Sequence, residues 1–219
     1  MPPVNRLRFD MKIVDHAYPQ HSTARVEAWG EIAIYIQREG SHPPFEVPSK
    51  IPLFKTQWDM AELAIWFAAN RDELCKSTLP SADGYPDVSP RESLAQAIRR
   101  LTDRDFAASE EPEADRWYDA LYSFHTHHGL QFAFRGAKFP DIIIGCNQGL
   151  GEISRSSLIE TDTGDHGFDY LGGWAYSFDM DDFRADLSRQ LREILIQWAS
   201  ATQDLEARAR ANGILAHFE

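Results

Sequence analysis

KFPDIIIGCNQGLGEISRS, residues 138–156, is the stretch on which the reading of the fold turns. Pro140 and Asp141 open an apolar run of three Ile residues. Asn147, Gly149 and Gly151 then supply side chains that tolerate turn conformations, and Glu152 begins a second apolar–polar segment. Two short apolar runs joined by a Gly/Asn turn predict a β-hairpin, with strands over 141–146 and 152–157.

Helical spacing takes over on both sides of the hairpin. Upstream, Trp117, Leu121, Phe124 and His128 recur on one face of a predicted helix, and Gly129 or Gly136 ends it. LQFAF, 130–134, fits helix or strand equally. Downstream, GGWAYSF, 172–178, reads as a further strand. Asp179 is then placed as the N-cap of a long helix whose apolar stripe is Phe183, Leu187, Leu191, Ile194, Leu195 and Trp198. A more polar helix follows from about Thr202.

Nearer the start, 7–18 and 25–38 alternate as strands. Ile32, Ile34 and Ile36 point one way, and Ala33, Tyr35 and Gln37 the other. Gly30 marks a bulge or tight bend, and Pro43, Pro44, Pro48 and Pro52 mark an irregular connector. MAELAIWFAAN, 60–70, is a helix apolar on nearly every face, with Thr56 and Asp59 as a capping-box pair. A loop over 76–87 leads to a helix with Ser89 at the N-cap, Pro90 at its first position, Glu92 closing the box, and Leu94, Ile98 and Leu101 as its stripe. The sum is an α+β fold, a mixed or antiparallel sheet packed by about four to five helices. Its parts are 1–80, a strand pair plus buried helix, and 81–219, helices and hairpin, in one continuous globule.

A chain of 219 residues, 43% hydrophobic with six Trp, buries a substantial core. Trp66, Trp117 and Trp198 lie on helical apolar faces, whereas Trp29, Trp58 and Trp174 lie near turns. The net charge of −12 is concentrated. Asp103–Asp119 holds seven acidic residues against two Arg, and 160–186 holds eight against Arg184. Such a surface disfavours nucleic acid and anionic lipid and suits a basic protein partner. Asp162, Asp165 and Asp169 in the acidic loop, with Trp174 beyond it, are the candidate binding residues. No segment approaches the roughly 20 apolar residues of a membrane span, and the opening MPPVNRLRFDMK has no secretory apolar core. Cys75 and Cys146 form no zinc pattern, so a reduced, cytoplasmic setting is expected.

Several chemistries lack their residues. GCNQGLGE has no Lys-Ser/Thr for a phosphate loop, no GxSxG occurs, and TDTGDHGFDY lacks the spacing of a calcium loop. In FHTHHG, His125 and His128 lie at i and i+3, a spacing that lets two imidazoles face one metal. His128 also shares the apolar face of Trp117 and Phe124, which fits a hydrogen-bonded core histidine.

Pro140-Asp141, ten intervening residues, then Glu152-Ile153-Ser154 resemble the PD-(D/E)xK nuclease signature, and the resemblance extends over residues 113–203. It implies Asp141 and Glu152 as ligands of a Mg²⁺ ion that activates water. Ser154 stands where that family has Lys, leaving Lys138 as the candidate charge. The leading expectation is a non-catalytic, acidic protein-interaction factor of the bacterial immunity, antitoxin or defence-accessory kind, needing no cofactor. A metal-dependent nuclease, or an inactive derivative of one, is the alternative.

Overall fold

The computed structural model describes residues 5–15, 26–37, 52–76, 92–103, 106, 111–134, 141–156 and 173–218. They fall into two compact units, one within 1–72, 133–137 and 178–219, the other within 73–132 and 138–177. Two antiparallel three-stranded sheets and, among the described residues, five α-helices make the α+β class expected from the sequence. No helix among the described residues is long and apolar enough to cross a membrane.

The first unit is built on strands β1 (Arg6–Ile13), β2 (Trp29–Gln37) and β3 (Phe54–Asp59), in that order. Leu7, Phe9, Ile32, Ile34 and Phe54 are buried on one face, as the period-two alternation requires. Helices α1 (Met60–Asn70), α4 (Met180–Ala201) and α5 (Leu205–Leu215) complete the unit. Phe183 of α4 ties it together, its ring 5.7 Å from Phe9, 6.2 Å from Phe67 and 5.3 Å from Phe178. Asp179 caps α4 through Asp182 N–H, and its apolar stripe from Phe183 to Trp198 is buried, as the spacing predicts.

Three expectations change here. Thr56 is no cap: it lies within β3, a strand in place of the end of the expected connector, and Asp59 alone caps α1. Gly30 sits in an unbroken register, Ile13 opposite Gly30 opposite Trp58, so it is not a bulge. A Cβ there would meet Met60 Cε at 1.5 Å and Lys12 O at 2.8 Å, so the missing side chain makes room for α1. Helix α2 (Leu94–Thr102) is capped by Ser93 with Gln96 closing the box; Ser89 and Pro90 lie outside the described residues.

In the second unit, α2 and α3 (Glu111–His128) pack with the sheet of β4 (Ile142–Asn147), β5 (Leu150–Arg155) and β6 (Trp174–Phe178). Leu94, Ile98, Leu101, Trp117, Leu121, Phe124 and Ile143 form one core cluster, and Trp117 Nε1 donates to Leu101 O at 3.2 Å. LQFAF resolves into a 3-10 turn over Leu130–Phe132.

Asp59 holds β2 to α1. Its Oδ1 accepts from Ala28 N and Ala61 N, both at 3.0 Å, and its Oδ2 from Arg210 Nη1 of α5 at 3.1 Å. Asp59→Ala leaves two buried N–H groups without an acceptor, and a loss of about 3 kcal/mol is expected in urea unfolding. Arg210→Met removes only a part-exposed partner, so its loss should stay below about 1 kcal/mol. Equal losses would refute this ranking.

Candidate functional site

The predicted hairpin forms with a shorter turn than expected: Asn147 and Gly151 lie in the strands, and only Gln148 and Gly149, φ 52° and 80°, make the turn. Positive φ at both central residues is the primed turn that matches strand twist, and Gly149 meets it without strain. Both faces of β4 are filled: Ile142, Ile143 and Ile144 are all buried.

Glu152 is also buried, and both of its oxygens are occupied. Oε1 accepts from Leu94 N at 2.7 Å, and Oε2 from Asn147 Nδ2 at 2.7 Å. Two residues along β5, Ser154 Oγ accepts from Ala95 N at 3.1 Å. Alternate residues of a strand share a face, so Glu152 and Ser154 together meet the first two N–H groups of α2, which have no intrahelical acceptor. The negative charge also lies at the positive end of the helix dipole. Asn147 Nδ2 reaches Glu92 O as well, at 3.1 Å, fixing the chain just before the helix.

Asp141 has a different setting. It is exposed at the start of β4, accepts from Gln131 Nε2 at 3.1 Å, and lies 3.8 Å from His125 Nδ1. Glu152 stands opposite Gly145, four residues beyond Asp141, roughly 13 Å along the strand. Two carboxylates sharing one ion need oxygens within about 5 Å of each other. The structure therefore does not bring Asp141 and Glu152 together, and Lys138 lies outside the described residues. Among the described residues no three His, Cys, Asp or Glu side chains are grouped to hold a metal.

His125 and His128 likewise part company. His128 is buried, stacked on Phe124 at 4.2 Å, with Nδ1 2.9 Å from Ile144 O. A carbonyl only accepts, so Nδ1 carries the proton. Gly145 makes this possible, since a Cβ there would meet His128 Nδ1 at 2.9 Å and Leu94 Cδ1 at 3.1 Å. Burial pushes the His128 pKa down from 6.5 to about 4, against the raising effect of the Ile144 bond.

Of the four predicted binding residues, Asp162, Asp165 and Asp169 lie outside the described residues. Trp174 is half-buried on β6, 5.8 Å from Tyr176. Sequence reading passed over a stronger feature. Tyr118 and Tyr122, on successive turns of α3, are 50% and 67% exposed. Among the described residues, Phe106 lies 6.0 Å from Tyr118 and Phe132 lies 5.9 Å from Tyr122. Asp115 and Asp119, both exposed, form the adjacent row. The i, i+4 repeat flanking Trp117 and Leu121 was the available signal. No family model, curated protein or solved structure matches the chain.

Two outcomes are expected. Glu152→Ala strands the Leu94 N–H and should cost about 2–3 kcal/mol, whereas Glu152→Gln keeps an acceptor and should cost less, both read by urea unfolding. Acidification should also weaken the fold through His128. The unfolded chain binds the proton at pH 6.5 and the folded chain only near 4. Stability from this group is thus full above pH 6.5 and falls towards pH 4, by about 3 kcal/mol in all. His128→Gln should flatten that slope in unfolding curves measured across the window.

Proposed function

We propose that the chain is a non-catalytic protein-interaction factor that docks a basic partner on the outer face of α3. The observation that carries this reading is the pair of exposed tyrosines, Tyr118 and Tyr122, set beside an exposed row of carboxylates. Rigid aromatic rings with polar tips give large contact area at low entropic cost, and they attract guanidinium and ammonium groups over their faces. Glu113, Asp115 and Asp119 supply the complementary field, and Arg116 is turned to Pro112 O at 3.2 Å. The buried side of the same helix holds the presenting face rigid.

Blocking of the partner, in the manner of an immunity protein or antitoxin, is the specific form of this reading. Docking would then cover a basic working surface, such as one that binds nucleic acid. A cytoplasmic setting belongs to the same proposal, supported by Cys75 and Cys146, which are not joined in a disulfide.

Capture from host extract with wild-type and Tyr118→Ala/Tyr122→Ala baits, compared by quantitative mass spectrometry, tests it. A set of basic proteins retained by the wild type should fall by about tenfold or more on the double variant, since two exposed aromatic contacts amount to more than 1.4 kcal/mol. Asp115→Asn/Asp119→Asn should lower capture mainly at low salt. Identical retained sets on all three baits would overturn the proposal.

A further inference from the structure

Sequence spacing sets His125 with His128 and Asp141 with Glu152, whereas the structure sets His125 and Asp141 beside each other. An antiparallel bridge between Gly129 and Ile143 lays the chain leaving α3 along the start of β4. Two residues further along each segment, Gln131 meets Asp141. All three side chains belong to the second unit.

Their polar ends converge on one point. The Gln131 amide nitrogen is 3.1 Å from Asp141 Oδ1 and 3.4 Å from His125 Nδ1, and Nδ1 is 3.8 Å from Oδ1. Only the first edge has good hydrogen-bond length; the second is long and the third is beyond it. A tetrahedral Zn²⁺ with bonds of about 2.1 Å sets its ligand atoms about 3.4 Å apart. The three edges bracket that spacing, so one ion just out of their plane reaches all three atoms.

The far side of the amide carries the second observation. With its nitrogen towards the triangle, Gln131 Oε1 is buried and has no hydrogen-bond partner among the described residues. That oxygen and His125 O both lie 2.7 Å from the point a Cβ on Gly129 would take, so two acceptors border one gap. Turning the amide over exchanges N and O within the same outline. It sets a donor on the His125 O side and an oxygen in the triangle. The triangle then holds a carboxylate oxygen, an amide oxygen and an imidazole nitrogen, a set that is stable at this spacing only around a cation.

An imidazole ligand suits Zn²⁺ and related transition ions, whereas Mg²⁺ and Ca²⁺ take oxygen ligands. His125 belongs to the last turn of α3, where the negative end of the helix dipole favours a cation. Asp141 is exposed, so the fourth position of the tetrahedron faces solvent and is completed by water or by a group of a partner. We propose that His125, Gln131 and Asp141 form a Zn²⁺ site with one open position, which ties the end of α3 and the turn after it to the start of β4. It shares no residue with the tyrosine face of α3 and stands or falls independently of it.

Titration of the full chain with ZnCl₂ in competition with a fluorescent zinc chelator tests it, with Co²⁺ absorption as a second readout. The wild type should take up one saturable equivalent at micromolar Zn²⁺, and excess Mg²⁺ or Ca²⁺ should not displace it. Asp141→Ala and His125→Ala should each weaken that uptake about tenfold or more. Gln131→Glu keeps the outline and adds a carboxylate, so it should tighten uptake about tenfold, a gain that misfolding does not produce. Bound Co²⁺ should give the intense visible bands of a tetrahedral ion. No saturable uptake by the wild type, uptake unchanged in Asp141→Ala or His125→Ala, no tightening in Gln131→Glu, or the weak bands of octahedral Co²⁺ would each overturn the proposal.

Discussion

A carboxylate held against the first N–H of a helix is the constraint on which the second unit depends. Glu152 approaches Leu94 N at 2.7 Å from a strand 58 residues away in sequence, and Ser154 repeats the contact one position along the helix. Once these bonds form, the angle and depth of α2 on the β4–β5 sheet are fixed, and with them the seat of Ile98 and Leu101 against Trp117. A buried carboxylate is costly unless each oxygen finds a donor, and Asn147 supplies the second. The first unit uses the same device at Asp59, with Arg210 in place of Asn147.

Two kinds of carboxylate thus divide the labour of an acidic chain. Asp59 and Glu152 face inward and join a strand to a helix. Asp115 and Asp119 face outward beside Tyr118 and Tyr122, where they set the field around an exposed aromatic face. Net charge alone does not separate these roles. Burial and the number of donors around each oxygen do.

The regular elements were legible where one physical signal dominates. The stripe of α4 and its Asp179 cap, the face of α3 from Trp117 to His128, and the Gly149 turn all follow from local periodicity and backbone freedom. What depends on partners far along the chain was not legible. Strand β3 lies just beyond the prolines of the expected connector, where Thr56 suggested a helix cap, because pairing with β2 overrides local preference. Ser93 rather than Ser89 caps α2, and the capping pattern itself does not choose between two serines four residues apart. The roles of Glu152 and Ser154 were invisible for the same reason: their partners, Leu94 and Ala95, carry no chemical mark in the sequence. The tyrosine pair was legible in principle, as a second helical period set against the apolar one.

Ser154 also limits where this hairpin can go by mutation. Its side chain is fully buried and faces the positive end of α2. An ammonium placed there would lose its hydration, oppose the helix dipole, and leave Ala95 N–H without its acceptor, each of which is unfavourable on its own. The single codon change that would complete a nuclease-like signature on paper therefore leads into a fold that no longer closes around α2. In this chain the Glu152–Ser154 half of that spacing is held by the architecture of a helix socket, and short tolerant motifs of this kind can be kept by packing alone.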